Sequence, residues 1–362
     1  MALISTSDGS LLSARSSAVY FPDDERGIPI PEGLKDIRIV QRRVLENKAR
    51  RELLETLGVA RCEPKSVVKS ILKLYDVPHG VTLEKSVSHV RYLFRTLGKG
   101  EALDNRIFIM DKTGKRIYRA FVTFGAEIIK DDLYFETLGE YGTKHLAQEL
   151  QCGVSQQSCP PFEMHLIHHA YIEAVPPGTV SNGRTWEQWL EEVALVRRIP
   201  RLKSPRTDGL STLCQHMAAY RPMILIGILK TYWSSLQSDL TPRVIKALKE
   251  MQVPCRNHSQ TELQWTYYPS KEMQRLCSDA SVKEIFNRFI DIPANLATDG
   301  IDGWEYLASF GVTLEADISF IGIIFDCLEE KATHDIQTQA GFFRMYKELF
   351  IRFPDDPIGL RE

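Results

Sequence analysis

The stretch from Thr185 to Pro200 leaves its local fold little choice. Thr185 followed three residues later by Gln188 is the pattern of a helix capping box, and Pro200 cannot continue a helix. Between them Glu187, Glu191 and Glu192 stand toward the start and Arg197 and Arg198 toward the end, the order that a helix dipole favours. The spacing predicts one helix from Thr185 to Pro200, with Trp186 and Trp189 on one face as core anchors. Upstream, Phe162, Met164 and Leu166 alternate with Glu163 and His165. That pattern predicts a half-buried strand running into His168, His169 and Tyr171 before the turn at Pro176-Pro177-Gly178.

The remaining patterns are of the same mixed kind. Leu45, Ala49, Leu53, Leu54 and Leu57 fall at helical spacing before a capping glycine, Gly58, and would leave the basic residues between Lys35 and Arg51 on a solvated face. Further helices are expected from Val67 to Leu74 and from Leu83 to Leu97, the second closed by Gly98 and carrying His89 on its surface. Arg106–Met110 and Arg116–Phe121 flank the turn residues Asp111–Lys115, which predicts an exposed β-hairpin. Residues 125–150 give no single reading. Beyond the opening segment, Leu210–Leu236 reads as a helical pair interrupted at Arg221-Pro222, and Thr241-Pro242 starts a helix through Met251. Val253–Cys255 and Leu263–Tyr268 look extended, and helical patterns return at Lys283–Phe289, Trp304–Phe310, Asp317–Glu330 and Phe342–Phe350. The expected fold class is α+β, predominantly helical, with short strands and a β-hairpin near residues 106–121.

One pattern recurs. Leu53-Leu54-Glu-Thr-Leu57-Gly58-Val59 returns as Tyr306-Leu307-Ala-Ser-Phe310-Gly311-Val312, each before an apolar helix and each preceded far upstream by an aromatic-aromatic-proline step, Tyr20-Phe21-Pro22 and Tyr267-Tyr268-Pro269. This predicts a degenerate internal duplication. Phe353-Pro354-Asp355-Asp356 repeats Phe21-Pro22-Asp23-Asp24 and reads as the start of a truncated third unit. The expected division is a disordered lead-in over 1–18, a first α/β unit over 19–155, a strand-turn-helix and helical region over 156–262, a second, mainly helical unit over 263–352, and the truncated start over 353–362.

A formal net charge of -2 calls for neither nucleic acid nor membrane as partner. Met223–Leu229, the longest aliphatic run, is too short to span a bilayer, which takes about 20 residues. Seven scattered cysteines without a Cys-x-x-Cys pair suit a reducing compartment, so a cytoplasmic or nuclear location is expected. Of candidate chemistry, His165, His168 and His169 are the one metal-like cluster. No acid or cysteine stands at helical spacing from them, and Cys159 lies across two prolines. Asp299–Gly303 lacks the ligand spacing of a calcium loop, and metalloprotease, hydrolase-elbow, phosphate-loop and dinucleotide motifs are absent from the sequence. No catalytic, cofactor-binding or metal-ligating residue is assigned, and no cofactor is expected. Arg38, Arg42, Arg43, Arg50 and Arg51 are the residues through which nucleic acid would be held, a role not favoured beside a solvated helix face.

His168-His169-Ala-Tyr171, Val175-Pro176-Pro177, Trp186-Glu-Gln-Trp189-Leu190-Glu191 and Val196-Arg197-Arg198-Ile-Pro200-Arg-Leu202 occur in an order that resembles a segment of large fungal proteins related to sacsin and plant NO VEIN. Leu229-Lys230-Thr-Tyr232-Trp233-Ser-Ser235 and Trp304–Val312 are similar to later landmarks of those proteins, so the resemblance runs from about Tyr20 to Glu362. Such proteins carry a GHKL-type ATPase domain followed by long repeat regions. The Asp-x-Gly-x-Gly loop of that domain is missing from this sequence, so the resemblance implies the downstream, non-ATPase region. The expected function is a non-catalytic interaction or chaperone-associated module with a protein partner. The alternative is an enzyme or accessory factor of a fungal metabolic pathway, with a pocket near His168 and Tyr171.

Overall fold

Two units divide the chain: Met1–Cys152 with Glu163–Arg198, and Gly153–Phe162 with Ile199–Glu362. They are described from a computed structural model that covers the chain apart from residues 1–2, 14–18, 77–79, 99–100, 102–103, 105, 119–122, 125–126, 129–131, 152–158, 205–206, 257–258, 294–295, 297–300, 332–335 and 353–362. The repeated start at Phe353 therefore lies outside the described residues.

In the first unit, β1 (Leu3–Ser5) and β2 (Leu11–Ser13) form an antiparallel hairpin where a disordered lead-in is expected. The reason is Ile4, which packs with Val19, Phe21, Val40, Leu54 and Val59 and is ordered by that burial. Next comes β3 (Val19–Asp24), which pairs in parallel with β4 (Arg38–Ile39) and β5 (Ala60–Cys62). The basic stretch is not one helix: residues 42–46 make a 3₁₀ turn, and α1 (Lys48–Thr56) starts only where the Asn47 side chain accepts from the Ala49 and Arg50 amides. Gly58 closes α1 at φ +87°, as its sequence position predicts.

The helices α2 (Pro64–Tyr75) and α3 (Leu83–Thr96) follow, the second capped by Thr82. His89 on α3 is fully buried, contrary to the surface position expected. It sits one ring from Tyr75, to whose hydroxyl its Nδ1 lies 3.4 Å. The hairpin of β6 (Phe108–Met110) and β7 (Arg116–Tyr118) is present, but as part of the core and not an exposed ribbon, because Phe108, Ile109 and Ile117 all face apolar neighbours. After β8 (Thr123–Phe124) and β9 (Glu127–Ile128), the ambiguous stretch holds β10 (Leu133–Tyr134) and α4 (Thr143–Gln151).

The strand expected from Phe162 shrinks to β11 (His165–Leu166), parallel to β10, with both residues buried and no alternation. The helix α5 (His169–Ile172) and the hairpin of β12 (Val180–Ser181) and β13 (Arg184–Thr185) lead to α6 (Trp186–Glu192), whose capping box is formed as the sequence predicts. Its end is not where Pro200 would put it. Leu195 turns the chain at φ 58°, and Arg197 then pairs with β10, its amide donating to the Leu133 carbonyl. Arg198 reaches back to Glu187 and Glu191 instead of sitting in a last helical turn. Trp186 and Trp189 are core anchors as expected, stacked at 5.5 Å against Phe94.

In the second unit the pair α7 (Thr212–Tyr220) and α8 (Pro222–Leu236) breaks at Arg221-Pro222, and α9 (Pro242–Lys249) takes its cap from Thr241. β14 (Gln252–Pro254) and β15 (Gln260–Glu262) pair antiparallel. Leu263–Trp265 is a 3₁₀ turn, so the extended stretch expected there begins only at Tyr267. The helix α10 (Lys271–Asp279), capped by Ser270, has no counterpart among the sequence expectations. Lys283–Phe289 is not a helix; its periodicity comes from Phe286 and Phe289, whose rings pack at 4.5 Å in the core. A 3₁₀ segment Glu305–Phe310, α11 (Ile318–Lys331) and α12 (Ile336–Arg352) complete the unit.

Tyr20 and Tyr267 occupy matching settings. Tyr20 pairs in parallel with Ile39 and Ala60, and Tyr267 in parallel with Phe289 and Thr313. Ala60 and Thr313 each stand two residues past a left-handed glycine, Gly58 and Gly311. At both turns the glycine amide donates to the carbonyl three residues back, and the following valine, Val59 or Val312, donates five residues back. Two helices follow each frame, α2 and α3 in one and α11 and α12 in the other. What fills the gap after the aromatic differs. The first frame has a loop containing Pro29 and Pro31, which cannot be helical, and the second has α10.

Candidate functional site

That loop and α3 enclose a cavity of about 590 Å³ in the first unit. Asp24, itself fully buried, shapes the loop: its carboxylate accepts from the Arg26 and Ile28 amides at 2.9 Å and from the Tyr92 hydroxyl at 2.7 Å. Burial, with the hydrogen bond to Asp24 next in weight, pushes the Tyr92 hydroxyl well above its ordinary pKa. Ile30, Leu34 and Ile37 drop from the loop into the core beside α2 and α3. Ile28, Pro29, Ile30 and Pro31 give the loop's side of the cavity its apolar lining.

The opposite wall is the face of α3 that carries Lys85, Ser88, Arg91, Tyr92 and Arg95, and Arg42 joins it from the 3₁₀ turn. These residues recur at three- and four-residue steps, so helix geometry puts them on one side. The side chains of Arg42, Lys85, Arg91 and Arg95 make no ion pair or hydrogen bond among the described residues. Glu32 and Glu84 also line the cavity, so four cations face two acids there. The field of Lys85 is felt inside the unit: burial first, and Lys85 second, push His89 down to about 4.

A second charged cluster has the opposite character. His165 is buried, and its Nδ1 donates to Asp111 at 2.7 Å. Lys115 has donors only, so its Nζ, 3.1 Å away, donates to His165 Nε2 and defines the tautomer. The same Nζ donates to Glu163 at 3.0 Å. Asp111 also accepts from the Thr113 and Lys115 amides and holds the β6–β7 turn. Burial pushes its carboxyl up, but hydrogen bonds from Thr113, His165 and Lys115 outweigh burial and hold it below the ordinary carboxylate value. Asp111, Glu163 and His165 bring ligand atoms within 4.8 Å of one another, the one set of three that metal chemistry could use among the described residues. The chain's own ammonium stands among them, and the cluster serves as a clasp between hairpin and strand.

The other candidate residues disperse. His168 caps α5 through Nδ1 and stacks on exposed His169 at 4.3 Å. Tyr171 is fully buried; its hydroxyl donates to Ser86 at 2.8 Å and accepts the Met110 amide at 3.1 Å. Cys159 belongs to the other unit, 3.9 Å from His216. Of the five arginines weighed for nucleic acid, Arg38 pairs with Asp8, Arg51 with Glu55, and Arg42 alone lines the cavity. Asp111 and the polar face of α3 were not singled out by sequence. Asp111 lies 54 residues from His165, beyond any local spacing rule, while Lys85, Arg91 and Arg95 look like an ordinary solvated face until a loop is seen opposite them. No family model matches the chain, and neither does any curated protein or solved structure.

Proposed function

We propose that the chain is a non-catalytic interaction module of the kind found downstream of the ATPase domain in sacsin/NO VEIN-like proteins, built on a duplicated frame. Its recognition site for an acidic protein partner is the cavity of the first unit. The observation that carries this reading is that Arg42, Lys85, Arg91 and Arg95 all line that cavity and none of them makes an ion pair among the described residues. A wall with four cations to two acids carries a net positive charge, which favours an oppositely charged surface and speeds its encounter. The polar groups around Tyr171 and His165 support it indirectly, since their hydrogen bonds run to one another inside the unit. The duplicated frame is supported by the matching pairs of Tyr20 and Tyr267.

Titration calorimetry of the full chain with poly-L-glutamate tests the reading. Binding is expected at low salt, falling as ionic strength rises, and abolished by Lys85→Glu with Arg91→Glu. Poly-L-glutamate that fails to bind, or binds the double variant equally, overturns it.

A further inference from the structure

In the second unit a helix stands between the aromatic and its parallel partner. There α10 follows the aromatic-aromatic-proline step and sends Met273, Leu276 and Cys277 into the core beside α11 and α12. α12 holds it by charge: Arg352 pairs with Glu272 at 2.7 Å, and Arg344 donates to the Asp279 carbonyl at the end of α10 at 3.0 Å. In the first unit the corresponding loop supplies the core layer, through Ile30, Leu34 and Ile37, but not the bulk of a helix, and the cavity remains outside it. The cations of α3 border that cavity, as Arg344 and Arg352 of α12 border α10 in the second unit.

Resting on the reading of this cavity as a recognition site, we infer that its occupant is a short amphipathic helix of a partner protein, apolar along one stripe and acidic beside it, which takes the place that α10 takes in the second unit. The dimensions agree. Lys85 to Arg95 is about 15 Å of α3, and a nine-residue helix such as α10 is about 13 Å long at roughly 1.5 Å per residue. Ile28, Pro29 and Pro31 offer the stripe an apolar wall, and Arg91, Arg95, Lys85 and Arg42 offer carboxylates their partners. A small phosphate ligand fits less well. The Ile28 and Ile30 amides already donate to Asp24 and Pro22, and Pro29 and Pro31 have none, so this part of the loop cannot cradle an anion with backbone N–H groups. The cations are also strung along a helix, which suits several carboxylates better than one phosphate.

The experiment is fluorescence anisotropy of the full chain with a labelled peptide of about twelve residues, roughly three helical turns, bearing a leucine stripe flanked by glutamates. Comparison peptides replace the glutamates by glutamine or put proline at the centre, and sodium pyrophosphate serves as competitor. The acidic helix is expected to bind, to lose about tenfold in affinity in Arg91→Glu/Arg95→Glu, and to lose a similar factor when proline breaks it. Arg42→Glu, on a different element, gives a second weakened variant should the first unfold. A proline peptide that binds as well overturns the helical occupant while leaving acidic recognition standing. A glutamine peptide that binds as well, or binding unchanged in both variants, overturns both. Displacement by pyrophosphate at concentrations below the peptide's own Kd overturns the inference in favour of a small anion.

Discussion

Around Tyr20 and around Tyr267 the chain makes the same parallel pairings and the same glycine turns, yet one frame is followed by a proline-bearing loop and the other by α10. The consequence is electrostatic. In the second unit Arg352 of α12 pairs with an acid of its own chain, Glu272 of α10, whereas Lys85, Arg91 and Arg95 of α3 make no ion pair among the described residues. Two helices follow each set of pairings, and the segment after the aromatic is what differs between them.

The largest effect should come from releasing the loop that separates the two frames. Asp24→Ala removes the acceptor of two partly buried amides and of the buried Tyr92 hydroxyl. Losing charged hydrogen bonds and leaving a buried hydroxyl without an acceptor should cost roughly 3–5 kcal/mol by denaturant melting. A loss below about 1 kcal/mol would mean that the prolines alone shape the loop.

The two glycines sharpen the comparison next. Both adopt φ near +90°, so a side chain is strained at either. At Gly58 an added Cβ meets open space, but at Gly311 it would lie 3.0 Å from the Gln264 Cβ and 3.1 Å from its Cα. Gly58→Ala should therefore cost about 1 kcal/mol and Gly311→Ala about 3 kcal/mol, the surplus coming from overlap with backbone that cannot give way. Equal costs would show that the second turn relaxes freely.

How much of this was legible in sequence follows from the range of the interaction. Helix caps and glycine stops are local, so Thr185, Thr82, Thr241 and Gly58 were readable one by one. The end of α6 was not, because Arg197 leaves the helix to pair with β10, more than sixty residues upstream. The lead-in hairpin was missed for a similar reason: Ile4 is ordered by Val40 and Leu54, not by its neighbours. The recurring Leu-Gly-Val string was visible, but nothing in it says that Tyr20 and Tyr267 pair with the residue two past each glycine. The cavity was invisible because α3 carries its cations at the spacing of any solvated face, and only the loop opposite gives them a setting.

Acid separates the frames by a further, smaller amount. α3 buries His89 beside Tyr75, whereas the described buried positions of α12 are Gly341, Met345 and Leu349, none of them titratable. His89 is pushed from 6.5 down to about 4 by burial first and Lys85 second. A lowered pKa means that the folded state resists the proton, so the stability it contributes is complete above about pH 6.5 and is lost as pH falls toward 4. Between pH 7 and 5 the loss should be about 2 kcal/mol, read as faster amide exchange in α3 than in α12. His89→Leu should flatten that dependence, and a dependence that persists in the variant would assign it to other groups.

The smallest effect is the most direct comparison of the two helix faces. Glu272→Ala removes a half-exposed partner of Arg352, an interaction that solvent screens, and should cost no more than about 1 kcal/mol. Arg91→Ala removes a cation with no acid beside it among the described residues, and should leave stability within about 0.5 kcal/mol or raise it slightly by easing repulsion along α3. If the two changes destabilise equally, the α3 cations are already engaged by their own chain and the open face is not a site. If Arg91→Ala is neutral to folding, the charge on that wall is free to be met from outside, and the difference between the two frames is one of occupancy.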